Sequence, residues 1–253
     1  MRRTLLYVAA LCLACVAVAA QNAPSESVCE VHINKIKPGM TAQYEQGRAK
    51  HMAWHKSQND AWTWNTYEIN TGPNTGSYLV SSCGHSWKDF DTREKFNVAD
   101  SQNALATMGN TMAAETMSYY VLRGDLSDTP KPTIPPYFSV VFFHLKADAV
   151  NDFRSGVKQV NEAYTKTNTP RHPSYWYTLV SGGYGPEMVL VQERNSIGDM
   201  APTTPKSLDD IVKEAQGDQG ATALMTLRKG IDHTESILLH YRPDLSYTAP
   251  AAK

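Results

Sequence analysis

The chain of 253 residues carries the same pattern twice, and that repetition constrains its fold more than any other feature. The segment KPGMTAQYEQG, Lys37 to Gly47, is matched by KADAVNDFRSG, Lys146 to Gly156, at an offset of 109. Tyr78-Leu79-Val80-Ser81 and Trp87 to Phe90 are matched by Met188 to Val191 and Ile197 to Met200 at an offset of 110. Arg123 to Ser127 (RGDLS) is matched by Arg242 to Ser246 (RPDLS) at an offset of 119. One such match arises by chance, but three in order argue for a duplicated unit. The growing offset places insertions in loops or in the last helix of the second copy.

Each copy resolves by period into the same elements. In the first, residues 28–36 are rich in β-branched residues and read as a strand, broken by Pro38 and Gly39. A helix opens at Thr41 with Tyr44, Ala49, Met52 and Ala53 on its apolar side. Residues 62–69 and 77–83, separated by the turn Asn70 to Gly76, read as a hairpin. Residues 91–114 read as helical and 116–122 as a closing strand. In the second copy the strands are 138–146, 175–180, 188–192 and 236–241, and the helices are 148–167 and 207–230, the latter with a break near Gly217 to Gly220. The organisation is a first module over 27–127, a Pro-rich linker over 128–136, a second module over 137–247 and a tail over 248–253.

The order strand, helix, strand, strand, helix, strand, twice over, is the split-βαβ ferredoxin-like motif. It implies an α+β chain of two tandem βαββαβ modules. Each is an antiparallel sheet covered by helices on one face, and the two bare faces bury each other. This pattern resembles the dimeric α/β-barrel superfamily, which includes the antibiotic-biosynthesis monooxygenase-like proteins, as a tandem fused duplication. The resemblance implies a pseudo-dimeric α/β barrel. It carries no single activity, because the superfamily includes cofactor-free oxygenases, haem-binding enzymes and proteins without known activity.

The N-terminus reads as a secretory signal. Arg2 and Arg3 precede the uncharged apolar run Leu5 to Val18, and Ala17 to Ala20 supply small residues for cleavage after Ala19 or Ala20. The run falls short of the roughly 20 residues of a spanning helix, so the expectation is an exported protein, periplasmic or secreted, with no transmembrane span after cleavage. Removal of residues 1–20 takes Cys12 and Cys15 and leaves Cys29 and Cys83. In the inferred topology the first and third strands are parallel neighbours, with Cys29 near the start of one and Cys83 near the end of the other. That separation argues against an intrachain bond. A net charge of -1 without a cluster of Lys and Arg argues against a nucleic-acid partner.

The candidate catalytic residues are His51, His55 and His85. His51 and His55, four apart, share one helix face at a spacing that can hold a metal. No third ligand is visible, so the sequence assigns no metal and no cofactor, and a solvated helix end is the simpler reading. The second copy has Val160 and Tyr164 at the matching positions. His85 ends a strand beside Gly84, where an imidazole can serve as acid or base, with an exposed loop histidine as the plainer alternative. Trp54, Trp62, Trp64 and Tyr67 are the candidate ligand-binding residues, echoed by Tyr175, Trp176 and Tyr177. Rings at that density line a pocket for a flat molecule or simply pack a core. No phosphate-binding loop, dinucleotide fingerprint or nucleophile elbow occurs. Two readings follow. One is a protein that binds or oxidises a small aromatic molecule in a pocket between sheet and helices. The other is a non-catalytic exported protein with a structural or partner-binding role. Oligomeric state is open.

Overall fold

The structure is a computed structural model that describes residues 27–128 and 134–250. Residues 1–20, the expected signal sequence with Cys12 and Cys15, lie outside the described residues, as does part of the expected linker. Eight strands, β1 (Val28–Ile36), β2 (Asn65–Ile69), β3 (Tyr78–His85), β4 (Met112–Leu122), β5 (Tyr137–Leu145), β6 (Ser174–Ser181), β7 (Glu187–Arg194) and β8 (Ile231–Tyr241), pair antiparallel throughout. Their order, β1-β3-β2-β8-β5-β7-β6-β4, closes on itself because β4 pairs with β1. Closure leaves neither half with a bare sheet edge. Helices α1 (Thr41–Ser57), α2 (Trp87–Thr92), α3 (Glu94–Met108), α4 (Val150–Lys166) and α5 (Leu208–Lys229) connect the strands. No helix among the described residues is long and apolar enough to cross a membrane.

The repeated motifs occupy equivalent places and do the same work. Lys37 donates from Nζ to the carbonyl of Asn110, and Lys146 to that of Lys229, so each first strand is tied to the end of its own second helix. A methyl group on Gly47 would sit on the Thr107 carbonyl oxygen, and one on Gly156 would meet the Leu227 side chain 2.7 Å away. Both glycines mark a close helix crossing. In the third motif Arg123 forms a bidentate pair with Asp125, and Arg242 with Asp244. The serine that ends each motif accepts a backbone N–H from the opposite half: Ser127 from Trp176, Ser246 from Thr66. Each half is therefore clasped by the tail of the other.

Two expectations are corrected. The strands β1 and β3 run antiparallel, because the helix crossover makes β1 and β2 parallel and β3 returns between them. The reversal places Cys29 opposite Cys83, with Cα atoms 4.0 Å apart, and the two form a disulfide. Residues 112–114, expected to end a helix, already belong to β4. Met112-Ala113-Ala114-Glu115 is a run of helix formers, and pairing with Ile36 to Asn34 overrides that preference. The break expected near Gly217 is present, with φ of 61° inside α5.

Alternation along the strands separates two interiors. Inside the ring, Ile33, Tyr67, Leu79, Phe138, Val140, Phe142, Tyr177 and Leu239 belong to one apolar cluster. On the helix side, the first half packs Met52, Trp62, Trp64, Val80 and Tyr247, and the second packs Phe153, Val157, Trp176, Met188 and Leu227.

Candidate functional site

Between α1, α3 and the outer face of the first sheet lies a polar cluster. His51 and His55 project from successive turns of α1 and are 3% and 1% exposed. Their Nε2 atoms approach to 3.2 Å, and both face Oδ1 of Asp100 on α3, at 3.1 Å from His51 and 3.2 Å from His55. The opposite ring nitrogens are also held. His55 donates from Nδ1 to Asp60 Oδ2 at 2.7 Å, and His51 from Nδ1 to Asn103 Oδ1 at 2.9 Å. The third partner that the sequence does not show is thus Asp100, supplied by a helix 45 residues along the chain from His55.

Asp60 anchors this cluster. It sits in the turn after α1 and accepts N–H groups from His55, from Trp64 Nε1, from the Trp62 backbone and from both terminal nitrogens of Arg93. The Arg93 guanidinium lies 4.3 Å from the Trp62 ring centroid and 4.1 Å from that of Phe96, so its faces are covered by aromatic rings. Burial alone raises the Asp60 carboxyl, but hydrogen bonds from His55 and Arg93 outweigh it and hold the group well below the usual carboxylate range. Asp100 is likewise held down against burial by His51 and His55. His55, opposed by burial, is raised by Asp100 and Asp60.

His85 belongs to the same layer but not to the cluster's centre. It is buried, stacks on Trp62 with centroids 3.6 Å apart, and bonds through Nε2 to Ser82 Oγ at 2.7 Å. The exposed loop histidine weighed from sequence is therefore a packed one. Burial keeps its pKa below the ordinary value. The four candidate ligand-binding rings divide. Trp54, Trp62 and Trp64 surround the histidines on the helix side, with Trp54 stacked on His51 and Trp64 tilted against His55. Tyr67 points the other way, into the ring.

The second half shows what this position looks like when it only holds helix on sheet. There Val160 and Tyr164 join Ala163, Ile211, Val212, Ala215 and Leu224 in an apolar cluster. Buried charges cost several kcal/mol each to desolvate, so the packing of the first half does not require them.

The cavity expected between sheet and helices lies instead inside the ring, since the helix side is filled by the clusters above. It has a volume of about 310 Å³ and is walled mainly by apolar and aromatic side chains, Tyr67, Phe138, Phe142 and Tyr177 among them. Its polar groups are few. Tyr120 donates to Glu187 and Tyr175 to Glu193. Asn65 also lines the cavity, and its side-chain oxygen is shielded from solvent without a hydrogen-bond partner among the described residues. His51, His55 and His85 do not line this space.

No family profile and no curated protein matches the sequence. Solved structures do match in fold. A provisionally assigned monooxygenase from Lactobacillus acidophilus aligns over 89% of this chain and 97% of its own, with a TM-score of 0.56 and 10% identity. An anthrone oxidase-like protein aligns over 86% and 92%, with a TM-score of 0.52 and 11% identity. A provisionally assigned chlorite dismutase aligns over 87% and 96%, with a TM-score of 0.54 and 14% identity. These structural neighbours have the dimeric α/β-barrel, ferredoxin-like fold, and this chain shares it.

Proposed function

We propose that the protein binds a small, flat, largely apolar molecule carrying a hydroxyl group inside the strand ring, and that oxidation of this molecule is its activity. The observation that carries the reading is the 310 Å³ cavity, walled mainly by apolar and aromatic side chains with Asn65 among the polar residues that line it. An apolar space of that size admits a two- or three-ring aromatic, and the Asn65 amide among its lining residues favours a ligand with a hydrogen-bonding group. Tyr67 and Tyr177 supply ring faces, and burial raises both phenols, Tyr177 to about 12, so neither ionises at neutral pH. The oxidative part of the reading is supported by the described activities of proteins with this fold. On this reading the ring is a pseudo-dimeric barrel within one chain. Export to the periplasm or beyond belongs to the same reading and is supported by the Cys29–Cys83 disulfide, a bond that persists in oxidising compartments.

The test is a fluorescence titration of the oxidised chain with hydroxylated naphthalenes and anthrones, followed by oxygen consumption with any compound that binds. Binding that weakens at least tenfold in Asn65→Leu, and is abolished when Val140→Trp fills the space, supports the reading. Equal binding by parent and both variants, or none by the parent, refutes it. Binding without oxygen consumption removes the enzymatic part and leaves the carrier role.

A further inference from the structure

We propose that His51, His55 and Asp100 form a binding site for one divalent first-row transition metal ion, held as a two-histidine, one-carboxylate set on the helix side of the first half. The inference is independent of the cavity reading, since none of the three residues lines the ring interior.

The geometry is that of a ligand set. The three atoms form a near-equilateral triangle with sides of 3.1, 3.2 and 3.2 Å. Its centre is about 1.8 Å from each corner, so a point about 1 Å off the plane lies about 2.1 Å from all three, the usual length of a metal bond to imidazole or carboxylate.

The hydrogen bonding points the same way. Each Nδ1 faces an oxygen acceptor, Asp60 for His55 and Asn103 for His51, and so carries the hydrogen. With both rings neutral, each Nε2 presents its lone pair to the shared point, where Asp100 adds a third electron-rich atom. Three acceptors in mutual contact need a positive charge between them, which a proton on one Nε2 or a metal ion supplies, and the metal titration below separates the two. The oxygen partners behind the rings are the outer-shell contacts that fix metal-binding imidazoles and raise their basicity. Arg93 neutralises Asp60 directly, which leaves the Asp100 charge for an ion at the triangle. The nitrogen and oxygen set suits Zn²⁺, Fe²⁺, Mn²⁺ or Co²⁺ better than Ca²⁺ or Mg²⁺.

One other group in the described residues brings comparable atoms together: His144, His233 and Glu235. There His233 and Glu235 are exposed, and His233 turns Nδ1 to its neighbour Asp232. It serves as the internal comparison.

The experiment uses the full oxidised chain, stripped with a chelator and titrated with Co²⁺, read by calorimetry and by the visible ligand-field bands. The expected result is one Co²⁺ per chain with nitrogen-type bands. His51→Ala and Asp100→Ala should each weaken binding at least 100-fold with the circular dichroism unchanged, and His233→Ala should leave it intact. If Asp100→Ala does not fold, Asp100→Asn keeps the shape and carries the same test. Absence of binding by the parent, binding unaffected by His51→Ala and the Asp100 variant, or loss in His233→Ala overturns the proposal.

Discussion

Substituting Asp60 by Asn tests whether the buried cluster is a mutually dependent network. The carboxylate is fully buried and accepts five N–H groups from four residues. Asparagine keeps the shape but removes the charge and turns one acceptor into a donor. That NH₂ group must then face another donor, either the Arg93 guanidinium or the His55 ring. Arg93, packed between Trp62 and Phe96, loses the anion that balances its charge. Breaking a buried pair by removing one partner costs about 3–5 kcal/mol. For a chain of this size each kcal/mol lowers Tm by about 2–4 °C, so Asp60→Asn should melt roughly 6–20 °C below the parent. Urea unfolding followed by far-ultraviolet circular dichroism, with the disulfide intact, gives the free energy directly. Arg93→Met should cost a comparable amount, and the double variant less than the sum, because each single change strands the other charge. A loss below about 1 kcal/mol for Asp60→Asn, or strict additivity with Arg93→Met, would refute the account of a coupled network.

Two further outcomes follow from the first half. His32 lies between Glu30, at 2.7 Å, and Glu115, at 3.0 Å. Burial opposes its charge, but the two carboxylates outweigh burial and raise its pKa to about 9. Its contribution to stability should be complete below about pH 6.5 and fade as pH rises through the folded value; an imidazole NMR titration with a midpoint near 6.5 would contradict this. The Cys29–Cys83 disulfide closes a separation of 54 residues, and loop entropy assigns it about 4 kcal/mol. Paired substitution by serine should lower the urea midpoint accordingly, and an unchanged midpoint would count against the bond.

The fold was legible because the repeated residues perform repeated tasks. Lys37 and Lys146 tie a strand to a helix end, Gly47 and Gly156 allow a close crossing, and the two Arg-x-Asp-Leu-Ser segments clasp the opposite half. Such positions tolerate few residue types, so they stay recognisable where surface positions do not. The candidate site was half legible. His51 and His55 share a helix face at a spacing readable in one dimension. Asp100 and Asp60 meet them only through packing, and nothing local distinguishes these aspartates from others in the chain. The cysteine pairing turns on strand direction: the helix crossover together with the hairpin makes β1 and β3 antiparallel, not parallel, and so sets Cys29 against Cys83. Tyr67 was grouped with Trp62 and Trp64 by proximity, although an odd number of residues from Trp64 puts it on the opposite face.

The reciprocal clasp has a consequence for how this chain comes apart. Arg123 to Ser127 belongs to the first repeat but bonds to β6 of the second, while Arg242 to Ser246 belongs to the second and bonds to the region of β2. Neither repeat owns all the contacts that secure it. Unfolding should therefore pass through a single transition, with no plateau for a half-folded species. Two fragments cut within 128–136 should remain unstructured apart and regain the fold on mixing, because the smallest unit able to close is the whole ring.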